Sequence, residues 1–405
     1  MEQVAITGVG VVSALGSGFA AFTAGLDAGR SVVEPAPWAD PSAGRHAWIS
    51  PVSDFDPAKW IDERVLSGTD LFAQYALAAA AQAVQDHGAP LEPETGVVIG
   101  TTMAGAGSLV EAQRLLDTQG PQAVPRKLNI QAWPNMAAGQ IALRWRLHGP
   151  LLTVSTACAS GLDAIGTAAE MIESGRADVV IAGGTERGLS EVLYHSQTAY
   201  GMSGAVSDPA LATMPFDRRR SGLVEGEGAA VVVLERADRA RARGARVYGL
   251  LRGYASLSDG YHPSSPDPSG RWEAEAMRRA QRHAGLAPDD IRAVVAHATS
   301  TPKGDTVEIT AINEVFGHRG DSLHVTSVKG NVGHTGAASG AMGVLAALHA
   351  MATGRLAHIP TTSEVEEGAD FSVVVGAPAT GDFDRVQVNA FGFGGQNCSV
   401  VLECP

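Results

Sequence analysis

Three side chains in this sequence could together perform acyl transfer through a thioester: Cys158, His297 and His334. A cysteine thiolate is a strong nucleophile that can carry an acyl group as a covalent intermediate. Neutral histidines can donate hydrogen bonds to an oxygen atom that gains negative charge in the transition state. Because the three residues are far apart in the chain, this chemistry requires a fold that brings them into one cleft.

The sequence around Cys158 predicts a turn between a strand and a helix. The preceding run, residues 151–155, is apolar and β-branched, which predicts a buried strand. Apolar side chains then recur at helical spacing from Leu162 to Ile172, and Gly175 closes the predicted helix. Unpaired amide donors and the helix dipole at such a turn favour the thiolate. A buried structural cysteine is the alternative, because free cysteine is among the most buried residue types.

The two histidines lie in polar, glycine-containing segments. His297 directly follows the apolar run 293–296, and His334 follows the run 325–329, so both are predicted at strand ends. A third segment, residues 389–397, combines two aromatic residues with three glycines and predicts a flexible loop. Structural histidines and a pair of metal ligands are the alternatives, although the sequence has no HxxxH pair and no CxxC pair.

Short apolar strands alternate with helical stretches along the chain, which predicts an α/β fold. The surroundings of Cys158 and His334 follow the same order: a strand, a polar turn and a helix of small residues. This internal similarity predicts two halves of similar topology that divide near residue 245, with Cys158 and His334 at matching strand ends.

Residues 35–51 predict an irregular segment on the surface. Residues 8–13 resemble a dinucleotide-binding loop, but serine ends the segment where that fingerprint has glycine.

Composition argues against several other functions. The 405 residues include 45% hydrophobic residues, enough for sizeable cores, and the net charge of −13 argues against general nucleic-acid binding. The three cysteines suit a reducing cytosol, since they form no disulfide-like pattern. The first residues lack a signal-peptide pattern. The longest apolar run, residues 337–351, is rich in Ala and Gly and predicts a buried helix instead of a membrane span.

Together these segments resemble the elongating β-ketoacyl-ACP synthases of fatty-acid and polyketide synthesis, over essentially the whole chain. The matching motifs are residues 6–10, 156–161, 182–186, 215–217, 226–229, the two histidine segments and residues 391–397. The resemblance implies a thiolase fold, which is a duplicated α/β unit in five αβαβα layers. It implies an N-terminal half over residues 1–245 that carries the nucleophile and a C-terminal half over residues 246–405 that carries both histidines.

The resemblance also implies a role for each catalytic residue. Cys158 takes the acyl chain from an acyl carrier protein. His297 and His334 hydrogen-bond the malonyl thioester carbonyl and promote its decarboxylation, after which the enolate attacks the acylated cysteine. Lys329 and Glu308 orient the histidines and order the site. No metal or diffusible cofactor is implied, because the substrates are carried on the phosphopantetheine of the carrier protein.

The glycine-rich loop carries further implied roles. The backbone amides of Cys158 and Phe393 form the oxyanion hole, and Phe393 gates access to the cysteine. The implied loop and substrate-binding residues are Phe391, Gly392, Phe393 and Gly394, with Thr299 and Thr301. Two positions depart from the family pattern, Ala298 where Gly commonly follows His and Gln396 where Thr commonly precedes Asn, so chain length and saturation of the substrate stay open.

Partner surfaces follow from the same resemblance. Arg126 and Lys127 match a basic spot that meets the acidic carrier protein, and the run 218–220 is a second basic candidate. Solvated surface charge is the alternative for both. We expect a homodimer or a heterodimer with a paralogous ketosynthase-like subunit, in the cytoplasm, with no nucleic acid or membrane partner.

The leading prediction is a decarboxylating condensing enzyme, and two other functions share the fold. A thiolase needs a second catalytic cysteine near the C-terminus, for which Cys398 is the nearest residue. A chain-length-factor-like partner would bind and shape a catalytic subunit without catalysing. Such partners usually lack the reactive cysteine, whereas this chain has Cys158 and both histidines.

Overall fold

The structure, a computed structural model, describes residues 3–43, 46–204 and 206–405. Its strands are β1 Val4–Ser13, β2 Gly16–Ser17, β3 Glu34–Pro35, β4 Trp48–Ser50, β5 Gly96–Gly100, β6 Leu151–Val154, β7 Val179–Arg187, β8 Glu225–Arg236, β9 Gly249–Ser258, β10 Ala293–Val295, β11 Gly320–Thr326, β12 Arg355–Leu356, β13 Phe371–Val373, β14 Ala379–Thr380, β15 Arg385–Gly392 and β16 Gln396–Glu403. Its helices are α1 Phe19–Asp27, α2 Glu63–Leu66, α3 Leu71–His87, α4 Ala106–Gln119, α5 Leu128–Ala132, α6 Met136–Trp145, α7 Ser160–Glu173, α8 Glu191–Ala199, α9 Ala237–Ala242, α10 Arg271–Ala284, α11 Pro302–Phe316, α12 Lys329–Val332 and α13 Ser339–Thr353.

Ten of these strands form two five-stranded sheets of identical order. The N-terminal sheet runs β6-β5-β7-β8-β1, and the C-terminal sheet runs β11-β10-β15-β16-β9. The two sheets join where β1 pairs antiparallel with β9, with Val4 opposite Leu251. The strand that comes third in chain order in each sheet, β6 or β11, lies at the end of the five-strand order that is farthest from this junction. Cys158 follows β6 and His334 follows β11, as the internal similarity of the sequence predicts. The division at residue 245 itself stays a prediction.

Helices cover and separate the two sheets in five layers. Helix α3 packs on the outer face of the N-terminal sheet, and α10 and α11 cover the outer face of the C-terminal sheet. Helices α7 and α13 pack against each other between the sheets, in the largest apolar cluster. This αβαβα arrangement confirms the predicted thiolase fold.

The glycines of β1 serve packing against α3. A Cβ atom on Gly8 would lie 2.1 Å from the carbonyl oxygen of Ala83, and one on Gly10 would lie 2.0 Å from that of Ala79. Only glycine permits this close approach of strand and helix. The segment is therefore an extended strand without a phosphate-binding loop, which removes the dinucleotide alternative.

Three local predictions are wrong in part. Strand β6 is not buried: Leu151 and Leu152 are 49% and 40% exposed, because β6 is the last strand of its sheet. The range 35–51 is not irregular throughout, because β4 pairs with β8 and Ile49 packs with Tyr194. Residues 44 and 45 of this range lie outside the described residues. The range 389–397 is a β-hairpin, because β15 and β16 pair up to Gly392 opposite Gln396.

The apolar stretch Gly336–Thr353 is long and apolar enough to cross a membrane by composition alone. However, 72% of this stretch is buried inside the protein, where α13 packs between the two sheets. The predicted buried helix is confirmed, and its small residues allow α7 and both sheets to approach it closely.

Candidate active site

The nucleophile turn is a tight structure between β6 and α7. Ala157 has a φ of 50°, in the left-handed region that residues with a side chain rarely adopt. The Ser160 hydroxyl holds the turn, because it donates to the carbonyl oxygen of Ala157 at 2.5 Å and accepts the N–H of Thr156 at 2.9 Å. The turn presents Cys158 to the space between the two sheets.

The fold brings the three predicted reactive residues together. The sulfur of Cys158 and one ring nitrogen each of His297 and His334 all lie within 4.8 Å of one another. The two imidazole rings meet edge to face at a centroid distance of 5.6 Å. All three side chains line one cavity of about 500 Å³, here called the catalytic cavity. Side chains from both sheets therefore converge on a space that a substrate can enter.

Burial has a larger effect on the pKa of the Cys158 thiol than the helix dipole has. Burial raises the pKa of Cys158 to about 11, although the Lys329 ammonium and the backbone N–H groups of Cys158 and Phe393 oppose that shift. The pKa of Cys158 is therefore shifted in the direction opposite to the one that the helix dipole favours. The physical reason is that α7 begins at Ser160, two residues beyond the sulfur, while the surrounding protein removes water from it.

Both histidines are neutral hydrogen-bond donors. Burial, reinforced by the Lys329 charge, lowers the pKa of His334 to about 3 and holds the pKa of His297 well below its usual value. Nδ1 of His334 accepts the N–H of Gly336 at 2.9 Å, and Nδ1 of His297 lies 3.4 Å from the Lys329 ammonium. Because both Nδ1 atoms face donors, the ring proton is placed on Nε2 in each case.

Glu308 and Lys329 hold the segment after β10 from two sides. The Glu308 carboxylate accepts the backbone N–H of His297 at 2.9 Å and that of Ala298 at 2.6 Å. Lys329 donates to the carbonyl oxygen of His297. Burial raises the pKa of Glu308 and lowers that of Lys329, while each charge favours the ionised form of the other. These contacts fix the backbone of His297, and the orienting role that the resemblance implies for Glu308 and Lys329 stays a prediction.

The hairpin turn and the threonines contribute to the walls of the cavity. Phe391 is buried with its ring 5.8 Å from that of His297, whereas Phe393 at the turn is 42% exposed. Thr299 and Thr301 line the cavity with their hydroxyl oxygens 2.8 Å apart. Gly392 also lines it. Gly394 does not; its N–H donates to the carbonyl oxygen of Pro263.

The predicted docking residues lie outside the cavity. Arg126 and Lys127 are exposed just before α5, and Lys127 donates to the hydroxyl of Ser67 at 3.1 Å. The second basic candidate, residues 218–220, is tied into ion pairs. Arg218 pairs with Glu364, Arg219 with Asp217 and Glu364, and Arg220 with Asp305 and Glu366. The pairs with Glu364, Asp305 and Glu366 connect these arginines to acids of the C-terminal half, so they offer little free basic surface.

Sequence reasoning missed two buried acids beside the nucleophile. Glu186 accepts the backbone N–H groups of Thr102 and Met103 at 3.0 Å each, and Asp163 accepts hydrogen bonds from Thr156 and Tyr254. The only sequence signal was an acidic residue inside an otherwise small and apolar stretch. All of these partners except Thr156 come from distant segments, so the signal was not interpretable without the fold.

The thiol and the two imidazoles are also the ligand types of a zinc site, but their surroundings oppose a cation. A zinc-binding histidine donates its second N–H to an acceptor, whereas Nδ1 of His334 accepts an N–H here. The Lys329 ammonium adds positive charge at 3.4 Å from His297.

Cys398 does not support a thiolase. It is buried in β16, where Asp163 accepts a hydrogen bond from its thiol, and it is absent from the lining of the catalytic cavity among the described residues. The second catalytic cysteine of a thiolase would have to reach the substrate.

Comparison with known proteins decides the family. The pattern of the N-terminal domain of β-ketoacyl synthases matches residues 1–240, and that of the C-terminal domain matches residues 248–363. The chain belongs to the β-ketoacyl synthase family. A curated relative, 3-oxoacyl-(acyl-carrier-protein) synthase 2 of Coxiella burnetii, is 35% identical over 99% of this chain and 98% of its own length.

Two solved structures extend the family comparison. The ishigamide ketosynthase/chain length factor is 30% identical, with a TM-score of 0.92 over 100% of this chain and 99% of its own. A type II polyketide ketosynthase, solved with its acyl-carrier protein and bound to a hexaketide, is 27% identical, with a TM-score of 0.91 over 100% of both chains. The predicted family, fold and β-ketoacyl-ACP synthase activity, a carbon–carbon bond-forming acyl transfer, are confirmed. The roles assigned to individual residues stay predictions.

Proposed function

We propose that this β-ketoacyl synthase condenses an acyl chain carried on Cys158 with a malonyl-type extender on acyl carrier protein, in fatty-acid or type II polyketide biosynthesis. The observation that carries the proposal is the meeting of one thiol and two neutral imidazoles, within 4.8 Å of one another, at a cavity of about 500 Å³. These are one nucleophile and two oxyanion donors, which is what decarboxylative condensation needs.

The first step transfers the acyl chain to the enzyme. The sulfur of Cys158 attacks the carbonyl carbon of the acyl-carrier thioester, its proton passes to the departing carrier thiol, and a new thioester forms. The backbone N–H groups of Cys158 and Phe393 hydrogen-bond the sulfur, and this contact supports their assignment as the donors to the developing oxyanion. Because the resting group is a thiol, proton loss accompanies the attack.

The second step generates the carbon nucleophile. The thioester oxygen of the malonyl group accepts hydrogen bonds from Nε2–H of His297 and of His334. Carbon dioxide leaves, and the electron pair of the broken bond becomes an enolate whose negative oxygen lies between these donors. Neutral imidazoles suit this task, because a charged ring would instead pair with the malonyl carboxylate and stabilise the starting material.

The third step forms the carbon–carbon bond. The enolate carbon attacks the acyl thioester on Cys158, the carbon–sulfur bond breaks, and the β-ketoacyl chain remains on the carrier protein. The released sulfur takes a proton from solvent and returns to the thiol. No step needs a metal ion or a diffusible cofactor, so we assign none.

The carrier protein and a second subunit complete the assembly. Arg126 and Lys127 are exposed on the half that carries the nucleophile and supply positive charge for an acidic carrier protein. The exposed Leu151 and Leu152 of β6 present an apolar sheet edge that pairs with a second ketosynthase-like subunit, either a copy or a paralogue. The three free thiols suit the reducing cytoplasm, where we place the enzyme.

Intact-mass analysis with a panel of acyl carrier proteins tests the proposal. We expect an acyl adduct on the wild type and on Cys404→Ala, a control that removes another free thiol, but not on Cys158→Ala. We also expect labelled malonyl-carrier to release carbon dioxide and to give a β-ketoacyl product. Absence of any adduct and of any turnover would instead support a chain-length-factor-like partner.

A further inference from the structure

One buried acid of the catalytic cavity has no role in the mechanism above. Glu273 lies in the first turn of α10 and is only 4% exposed, and it lines the same cavity as Cys158. Its carboxyl oxygen Oε2 is buried without a hydrogen-bond partner within the described parts of the chain. A buried polar atom without a partner destabilises the folded protein and therefore needs an explanation.

The surroundings of Glu273 favour its uncharged form. Burial raises the pKa of Glu273 well above its usual value, and the negative charges of Glu308, Asp259 and Asp305 raise it further. A neutral carboxylic acid offers one O–H donor as well as acceptor oxygens. The cavity therefore contains a hydrogen-bond donor that the protein itself leaves unused.

We propose that Glu273 is a specificity-determining residue that donates a hydrogen bond to a carbonyl or hydroxyl oxygen of the thioester substrate in the catalytic cavity. This inference rests on the proposed function, because it requires a carrier-type thioester to enter beside Cys158. The oxygen belongs either to an amide of the pantetheine arm or to an oxygenated acyl chain. A site that hydrogen-bonds a substrate oxygen discriminates strongly against an analogue that lacks it, since the buried donor is then left unpaired.

Two substitutions separate hydrogen bonding from packing. Glu273→Gln keeps the size, the neutral donor and the acceptor, whereas Glu273→Leu keeps the approximate volume and removes both polar functions. Glu275→Gln is a matched control on the same helix, because Glu275 pairs with Arg279 at 2.9 Å on the outer side. Each protein is assayed with hexanoyl and 3-hydroxyhexanoyl groups, each carried on pantetheine and on the shorter N-acetylcysteamine.

We expect Glu273→Leu to lower kcat/KM about tenfold, the effect of one lost hydrogen bond, while Glu273→Gln and Glu275→Gln stay near the wild type. A loss on both pantetheine thioesters but not on N-acetylcysteamine thioesters assigns the oxygen to the outer amide of the arm. An equal loss on all four substrates with an unchanged Tm assigns it to the amide nearest the sulfur, which both carriers share. A loss confined to the hydroxylated chain assigns it to the acyl group. Each of these patterns supports the proposal.

Thermal unfolding distinguishes this role from a purely structural one. We expect the Tm of Glu273→Leu to equal or exceed that of the wild type, because the variant removes an unpaired buried carboxyl group. Wild-type activity of Glu273→Leu on all four substrates would overturn the inference, as would a lowered Tm with an equal loss on every substrate. A wild type that loads no acyl group on Cys158 would instead refute the proposed function, and the inference with it.

Discussion

The two sheets of this protein share one strand order, but the residues that follow equivalent strands differ in their chemistry. In the N-terminal sheet the third strand in chain order, β6, is an open edge and leads to the proposed nucleophile Cys158. In the C-terminal sheet the third strand, β11, is covered by β13, with Val325 opposite Val373, and leads to His334. The shared topology sets where a side chain can reach the cleft, and the residue at that position sets what it does.

The residues that follow the second strand of each half in chain order also differ. After β10, the backbone bound by a buried glutamate carries His297 and Ala298, whereas the corresponding backbone after β5 carries Thr102 and Met103. Both halves nevertheless use a buried glutamate to bind the backbone that follows: Glu186 after β5 and Glu308 after β10.

Removing one histidine of the C-terminal half should separate decarboxylation and condensation from the acylation of Cys158 in the N-terminal half. We expect His297→Ala or His334→Ala to lower malonyl decarboxylation and condensation about 10²–10³-fold, because each removes one donor to the enolate oxygen. Acylation of Cys158, which does not use the two imidazoles in the proposed first step, should persist in both variants. Carbon dioxide release and intact mass measure the two activities. Near-normal condensation by both variants would contradict the assigned roles.

The environment of the thiol predicts a distinctive pH dependence. Because the pKa of Cys158 is raised to about 11, its thiolate fraction keeps increasing with pH through the neutral and mildly alkaline range. Iodoacetamide labelling of Cys158, followed by peptide mass spectrometry, should therefore accelerate about 100-fold from pH 7 to pH 9. A labelling rate that levels off below pH 8 would show that the helix dipole has a larger effect on the pKa of Cys158 than burial has.

The open edge of the N-terminal sheet makes a prediction about association. Leu152→Ser should weaken dimerisation by about 1–2 kcal/mol, a roughly 5–30-fold rise in Kd, because it removes apolar area that the second subunit covers. Sedimentation velocity at a series of concentrations measures the change. Ser372→Ala, at a half-buried position on the covering strand of the other sheet, is the comparison, and its dimer affinity should be unchanged. An equal effect of both substitutions would refute an interface at β6.

The smallest expected effect concerns the carrier protein. Arg126→Glu combined with Lys127→Glu should raise the KM for acyl-carrier substrates about fivefold or more, because the charge that attracts the acidic carrier is reversed. Small thioester mimics should react at the wild-type rate. Steady-state kinetics on both substrate types provides the test. An equal loss on both types would mean that the substitutions disturb the active site.

Local sequence determined much of this protein. Apolar runs identified the strands before Cys158, His297 and His334, and residue spacing identified α7, because these patterns depend on neighbours within one or two turns of chain. Motif order identified the family. The fold then confirmed that both histidines reach the cysteine.

The tertiary structure alone decided properties that depend on remote atoms. The pKa of Cys158 is raised because distant segments bury the thiol, and β6 is exposed because it is the last strand of its sheet. The arginines of residues 218–220 are paired with acids far along the chain, and Oε2 of Glu273, a residue that lines the catalytic cavity, has no hydrogen-bond partner among the described residues. Burial and charge at a residue sum over everything packed around it, and that sum exists only once the chain has folded.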